Sequence, residues 1–566
     1  MELRRLGLPS EPERGKRLTF SQRLEWLCLF GILGLLVFRV VNVQLYPDPR
    51  TLSQLTGQYR QTVRRSLDRA TVYDRSGAPL AMSVPAWSVF LDPGVEGWDG
   101  SRLKQLAPFL DKKMLSQLSK PLTKRFYWLK RYLTEEQAEE IRQAGGKGVF
   151  VRSERKRVYP KGKIFSHLLG FCDNDSWGLS GIELTWNNVL YIPERSLVNY
   201  RGARPLSEPT EEDPTQEQGL YLTVDSQVQY ALEEFLGQAA VQNKVKWAAA
   251  VCLHSSTGEV LGMVSWPSFD PNVRSTFLHP EALRNNVISR VYEPGSTFKP
   301  IMVGIALENG AIKTNSAFRC TARIQIADAV MSDATPKDNG TLSVDQILEK
   351  SSNVGIAQIG MRCDPYKTHS DMKNWGIERQ TGIMLSGEES GLLRSPEQWY
   401  GVIPANVAIG QGFALTPLQL VTAFNAIVNG GVLMRPFIVQ RAVDAQGNEV
   451  VLQKPQEITR VLSSRTARWL RTVLRQVVTQ GTGKGANSSL VPIAAKTGTA
   501  QVADKGVYVK GRYNASMIGF WPSDRPEYTM LIVLGDVTGQ RYYGGQIVAP
   551  VFKNIVEEIM RLKGQI

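Results

Sequence analysis

An uncharged run near the N-terminus, Trp26 to Phe38 (WLCLFGILGLLVF), continues past Arg39 as VVNVQLY and restricts this chain more than any other feature. Trp26 to Tyr46 is about 21 residues, which at about 1.5 Å per residue crosses a hydrocarbon core of roughly 30 Å, with aromatic residues at both ends to sit at the interfaces. Arg4, Arg5, Arg14, Lys16, Arg17 and Arg23 precede the run, so the positive-inside rule puts the N-terminus in the cytoplasm. YPDPR follows without a small-residue cleavage site, and the segment is expected to stay as an anchor. Arg39 must then snorkel or meet a protein partner. The expected layout is a cytoplasmic tail over 1–22, a single-pass anchor over 23–46 in the cytoplasmic (inner) membrane, and an exported body. Basic residues exceed acidic ones by 67 to 53, but with the body outside the cell nucleic acid is not the expected partner.

The five cysteines are scattered with no C-x-x-C pair, and the four histidines are equally dispersed. Neither set has the spacing of a tetrahedral zinc site, so no metal and no cofactor is expected. Cys320 and Cys363 fall in the exported part and either pair or remain free thiols. A nucleophile in this chain has no histidine nearby in sequence to serve it.

Residues 47–218 are read as a pedestal domain and linker. Short β-rich stretches (ATVYDRSG, WSVFLDPG, GVFVRSE) alternate with helical ones such as TEEQAEEIRQAGG, where Gly145 and Gly146 stop the helix. The basic cluster Arg152, Arg155, Lys156, Arg157, Lys161 and Lys163 is expected to form a solvated face with internal ion pairs, the alternative being contact with anionic partners. The acidic, proline-rich segment 204–218 reads as a connection, with a boundary near Gly219. Beyond it, 219–566 is a single large enzyme body. It opens with a strand, a helix capped at Asp225 or Ser226, and two apolar strands around the turn SSTG at the heart of a sheet.

In VYEPGSTFKPIMVGIALENG, Pro300 is tolerated only in the first turn of a helix, so that helix begins close to Ser296. Lys299, three residues on, shares its face and brings an amine within reach of the hydroxyl. The free N–H groups and dipole of a helix start favour an alkoxide and the oxyanion of an attacked carbonyl. Ser-x-x-Lys alone is weak, since about two occurrences are expected by chance; Ser101, Ser153 and Ser370 also precede a lysine by three. Two further elements change the odds: Ser351-Ser352-Asn353 in a helical context, and Lys496-Thr497-Gly498-Thr499 after the apolar VPIAA.

These three motifs in this order resemble the penicillin-binding, active-site-serine family. EPGSTFKP, SSNVG, GQG-x-x-x-TPLQL, KTGTAQ and YYGG-x-x-x-APVF resemble class B transpeptidase domains, and RATVYDRSG, RVYPKGKIFSHLLGF and GLSGIE resemble their dimerisation-type pedestal. Ser-Ser-Asn stands where elongation-type relatives usually carry Ser-x-Asp, so the nearest resemblance is to the division-specific, FtsI-type group. Met384 and Ser386 depart from the usual TGIDLPGE.

The resemblance implies an α/β (α+β) chain: transmembrane helix, elongated pedestal, and a β-lactamase-like transpeptidase domain with a central antiparallel sheet flanked by helices. It implies that Ser296 is acylated by a peptidoglycan stem peptide, with release of the terminal D-alanine and transfer of the acyl group to an amine of a neighbouring stem. Lys299 would be the base, neutral because burial and a second cation, Lys496, lower its pKa. Ser351 would relay a proton, Asn353 would orient Lys299 and the substrate, and Lys496, Thr497 and Thr499 would hold the substrate carboxylate. Gly498 would let a strand-like substrate approach, and the N–H groups of Ser296 and Thr499 would form the oxyanion hole. β-Lactams are the implied inhibitors, and an FtsW-type glycan polymerase and other division proteins the implied partners. An elongation-type transpeptidase, a carboxypeptidase or β-lactamase-like hydrolase, and a β-lactam sensor or scaffold share the motifs and remain alternatives.

Overall fold

The computed structural model describes residues 20–45, 60–64, 68–98, 100–192, 196–200, 218–444, 447–504 and 506–566. The cytoplasmic tail up to residue 19 and nearly all of the expected connection over 204–218 lie outside the described residues. The chain divides into two compact units, Met1–Arg65 with Glu194–Glu212, and Ser66–Pro193 with Asp213–Ile566. In the first, the helix Phe20–Leu45 covers most of the expected anchor, with side chains exposed from Leu27 to Val41. Among the described residues no helix is long and apolar enough to cross a membrane. The same unit holds an antiparallel ribbon of Arg60–Arg64 and Ser196–Tyr200.

The larger unit contains two principal sheets. In the mixed seven-stranded one the order is Glu449–Leu452, Val439–Val443, Gly219–Leu222, Thr71–Tyr73, Pro79–Leu91 and Tyr127–Leu133, with Val149–Val158 also paired to Pro79–Leu91. Thr71–Tyr73 runs parallel to Gly219–Leu222, and the other neighbours are antiparallel. The boundary expected near Gly219 therefore falls inside a sheet built from both sides of it. The helix Glu135–Gly145 packs on the pedestal strands through Ala138 and Ile141. A capping box of Thr134 and Gln137 starts it, and Gly146, at φ 66°, ends it.

One residue of the basic cluster does not lie on a solvated face. Arg157 is buried, donating from Nε to Glu183 Oε1 at 2.8 Å and from Nη1 to the carbonyls of Arg69 and Ala70. The Arg69 guanidinium closes on the other Glu183 oxygen. Glu183 arrives from the helix Gly181–Thr185, a partner distant in sequence that charge patterning cannot reveal.

The second sheet is five-stranded and wholly antiparallel, in the order Val260–Trp266, Trp247–His254, Tyr528–Val537, Val507–Trp521, Ala494–Asp504. The hairpin expected at its heart lies to one side: Trp247–His254 is internal, but Val260–Trp266 is an edge. AAAVCL reads as an unbroken apolar run because both faces are covered. Ala248, Ala250 and Cys252 meet the helices Ser226–Gln242 and Ala549–Leu562, whereas Ala249, Val251 and Leu253 join the core that holds Lys299–Glu308, Pro417–Val428 and Ser464–Thr479. Asp225 caps the first of these helices by accepting from the N–H groups of Gln227 and Val228. Cys320 and Cys363 are buried free thiols. His167 is buried against Phe269, and burial lowers its pKa to about 4, so it is a neutral packing residue.

Candidate active site

Ser296 lies in a single 3-10 turn, Gly295–Thr297, that leads into the helix Lys299–Glu308. Pro300 fits there because the first turn leaves its missing N–H without consequence. The turn is clamped on two sides. Gly295 N–H donates to Gly410 O at 2.9 Å, and the backbones approach so closely that a Cβ on Gly410 would stand 2.1 Å from Gly295 O. On the other side a Cβ on Gly295 would touch Ala500 Cβ at 3.1 Å, on the strand Ala494–Asp504. Gly295, Thr297, Phe298 and Lys299 are buried, and Ser296 is partly exposed. The packing fixes the turn and leaves its serine open to a ligand.

Ser351-Ser352-Asn353 does not lie within a helix but at the break between Val344–Lys350 and Asn353–Gly360. Ser351 is left-handed (φ 57°, ψ 38°), a strained geometry for a non-glycine residue. Ser352 caps the second helix by accepting from Gly355 N–H at 3.0 Å. Asp333, which the sequence does not single out, receives Ser352 Oγ–H at 3.0 Å together with the N–H groups of Asn353 and Val354. Asn353 donates from Nδ2 to Ser332 O at 3.0 Å, which turns its Oδ1 towards Lys299.

Lys299 Nζ donates to Asn353 Oδ1 and to Ser351 O, both at 2.8 Å, and lies 3.5 Å from Ser351 Oγ. Lys496 Nζ donates to the same Ser351 Oγ at 2.8 Å and to Thr497 O at 3.0 Å. One hydroxyl thus stands between two fully buried amines. Burial lowers the Lys299 pKa to about 7 against the opposing pull of Asp333. Burial, with Lys299 adding to it, lowers Lys496 well below the ordinary lysine range. With burial holding both amines below the ordinary lysine range, the uncharged form of Lys299 is well populated near neutrality. With two N–H bonds spent on Asn353 and Ser351 O, a neutral Lys299 has its lone pair free. Lys299 forms no hydrogen bond to Ser296 in this structure, so the expected contact of hydroxyl and base is one that a bound substrate must draw together.

Lys496 to Thr499 lie on Ala494–Asp504, an edge strand whose sole sheet neighbour among the described residues is Val507–Trp521. Its free side can receive an extended peptide as a further strand. Beside the substrate role expected of it, Gly498 has a packing role: a Cβ there would lie 2.4 Å from Ser516 Oγ and 2.9 Å from Thr297 Cγ2, so the glycine seats the serine turn on the strand. The hydroxyls of Thr497 and Thr499 are engaged inside the protein, Thr497 Oγ1 with Thr482 Oγ1 at 2.9 Å and Thr499 Oγ1 accepting from Gly544 N–H at 3.0 Å. Thr482, Gly410 and Asp333 are contributors that sequence reasoning gave no role. Gly410 carried a signal in the GQG motif, and the other two carried none.

Against known families, residues 248–557 match the penicillin binding protein transpeptidase domain, and residues 65–191 match the penicillin-binding protein dimerisation domain. The chain is 31% identical to stage V sporulation protein D of Bacillus subtilis over 558 residues, covering 96% of this chain and 86% of that protein. It is 30% identical to peptidoglycan D,D-transpeptidase FtsI of Escherichia coli K12 over 550 residues, covering 94% and 90%. Penicillin binding protein 3 of Mycobacterium tuberculosis, complexed with aztreonam, superposes with a TM-score of 0.69 at 25% identity, covering 89% of this chain and 97% of that one.

Proposed function

Since this chain belongs to the class B penicillin-binding protein family and is a serine D,D-transpeptidase, we propose that Ser296 is its acylated residue and that it cross-links peptidoglycan at the division septum. The observation that carries the assignment is the Ser351 hydroxyl held between the buried amines of Lys299 and Lys496, with Lys299 opening the helix that the Ser296 turn leads into.

A stem peptide lies along the free edge of Ala494–Asp504 with its terminal carboxylate near Lys496. Lys299, neutral, takes the Ser296 proton as Oγ attacks the penultimate D-alanine carbonyl. The Ser296 and Thr499 N–H groups receive the oxyanion, each such donor being worth about 3 to 4 kcal/mol in the barrier. Lys496 and Ser351 pass a proton to the departing D-alanine amine, and the C–N bond breaks to leave the Ser296 ester. An amine of a second stem then attacks that ester, loses its proton through the same groups, and regenerates Ser296. Asn353 and Asp333 hold Lys299 and the Ser351 break in register throughout. β-Lactams acylate the same oxygen, and a Ser296→Ala chain binds its partners without cross-linking.

The body works outside the cell with the basic tail inside, a reading supported by the apolar sequence run Trp26 to Tyr46, whose end side chains lie outside the described residues. Residues 47–218 form the pedestal that meets an FtsW-type glycan polymerase and other division proteins, and 219–566 form the catalytic domain. Ser-Ser-Asn at 351–353 favours the septum over lateral wall. The sporulation protein is as similar to this chain as the division enzyme, so place of action needs its own experiment. A fluorescent fusion concentrating at mid-cell in vegetative division supports the septal role, and a lateral or sporulation-restricted signal overturns it. Transfer of an acylated donor to a labelled amine, exceeding its hydrolysis, separates the transpeptidase from a carboxypeptidase or β-lactamase.

A further inference from the structure

The seam between the 65–191 segment and the catalytic body contains a cavity of about 430 Å³ that none of Ser296, Lys299, Ser351, Asn353 and Lys496 lines. Arg131, Lys156 and Arg157 line it from the pedestal side and Arg274 from the body, with Asp173 the acidic residue in its wall. The donors are unequally committed. Arg131 is paired with Glu154 at 2.9 Å, and Arg274 donates from Nη2 to Asn174 Oδ1 at 2.6 Å. Asp173 Oδ1 accepts the N–H groups of Asp175 and Trp177. The Lys156 side chain makes no hydrogen bond or ion pair among the described residues, and its backbone is paired with Val84 in the sheet. Arg157, whose side chain is 4% exposed, spends Nε and Nη1 on Glu183 and two carbonyls, and its Nη2 is buried without a partner.

A buried guanidinium N–H pair without an acceptor is costly, and native proteins rarely tolerate one unless a ligand or water completes it. A lone water could satisfy Nη2 but would leave the charges of Lys156 and Arg274 facing the same space. We propose that this cavity binds a small organic oxyanion, a carboxylate or a phosphate ester, between Lys156, Arg157 and Arg274. Guanidinium groups recognise both chemistries through paired N–H donors. The volume lies within the roughly 300 to 1,000 Å³ of organic-ligand sites, larger than an inorganic ion requires. Because the walls come from both segments, an occupant also ties the pedestal to the body.

The test is isothermal calorimetry at low salt on the full chain in detergent, with N-acetylmuramic acid as the carboxylate probe and glycerol 3-phosphate as the phosphate probe. At least one should bind with one-to-one stoichiometry, and its preference over the other identifies the source. Lys156→Gln with Arg274→Gln, both away from the catalytic groups, should weaken binding roughly tenfold or more while leaving penicillin acylation unchanged. Absence of binding by both probes overturns the proposal, as does binding that the double variant does not weaken. Neither result bears on Ser296, whose acylation is read separately.

Discussion

Replacing Asp333 by Asn tests how Lys299 is made a base. A lysine titrating at its ordinary 10.5 is neutral in roughly one molecule in 3,000 at pH 7, whereas one lowered to about 7 is neutral in about half. That gain in neutral amine is worth about 5 kcal/mol, and it comes from burial, with the Asp333 charge pulling the other way. Acylation of the wild-type protein by a chromogenic β-lactam should therefore rise with pH and reach half its plateau near pH 7. Asp333→Asn keeps an acceptor oxygen for Ser352 and for the N–H groups of Asn353 and Val354, but removes the negative charge. Its half-plateau should move to lower pH, with the plateau rate reduced by any loosening of the Ser351 break. Stopped-flow acylation between pH 5 and 10 reads both quantities. A wild-type midpoint above pH 9, or an Asp333→Asn midpoint moved upwards, would refute the proposed origin of the base.

Lys496→Met should abolish acylation yet raise the thermal midpoint in calorimetry, because it removes a buried amine that repels Lys299. Lys299 has its folded-state pKa below the unfolded value, so the unfolded chain binds more protons between about pH 7 and 10.5; its contribution to stability should rise with pH across that window, and urea unfolding of wild type against Lys299→Met isolates it. Gly410→Ala should lower acylation by at least about tenfold and destabilise the body by roughly 1 to 3 kcal/mol, since the residue has φ +87° and its Cβ would lie 2.1 Å from Gly295 O. Glu183→Gln should destabilise the pedestal by about 3 to 5 kcal/mol in denaturant unfolding, because it leaves Arg69 and Arg157 buried without their counter-ion.

What the sequence made legible was local. Pro300 fixes a helix start, and with it the place of Ser296 and Lys299, because ring geometry forbids any other reading. Continuous apolar runs such as AAAVCL reveal a doubly covered sheet. Lys496 and Gly498 stand at a sheet edge through the family resemblance and not through periodicity, since edge status depends on which strands pair elsewhere. Asp333 was invisible because its partners at 352–354 meet it only after the chain folds back, and SDATP differs in nothing from an ordinary turn. The substrate role expected of Gly498 follows from ligand geometry; its packing against Ser516 and against Thr297, some two hundred positions away, is not visible in the sequence. The sheet joining Thr71–Tyr73 to Gly219–Leu222 was hidden for the same reason, as parallel pairing across a long insertion leaves no trace in periodicity. Arg157 looked like its exposed neighbours in a basic run, and only Glu183 distinguishes it.

The most direct measurement is peptide mapping by mass spectrometry after penicillin treatment at pH 8, on wild type and on Lys299→Ala. The account predicts a single penicilloyl ester on Ser296 in the wild type, stable for longer than the acylation takes, and none on the variant over the same time. An adduct on another side chain, or equal labelling of Ser296 without the Lys299 amine, would contradict it.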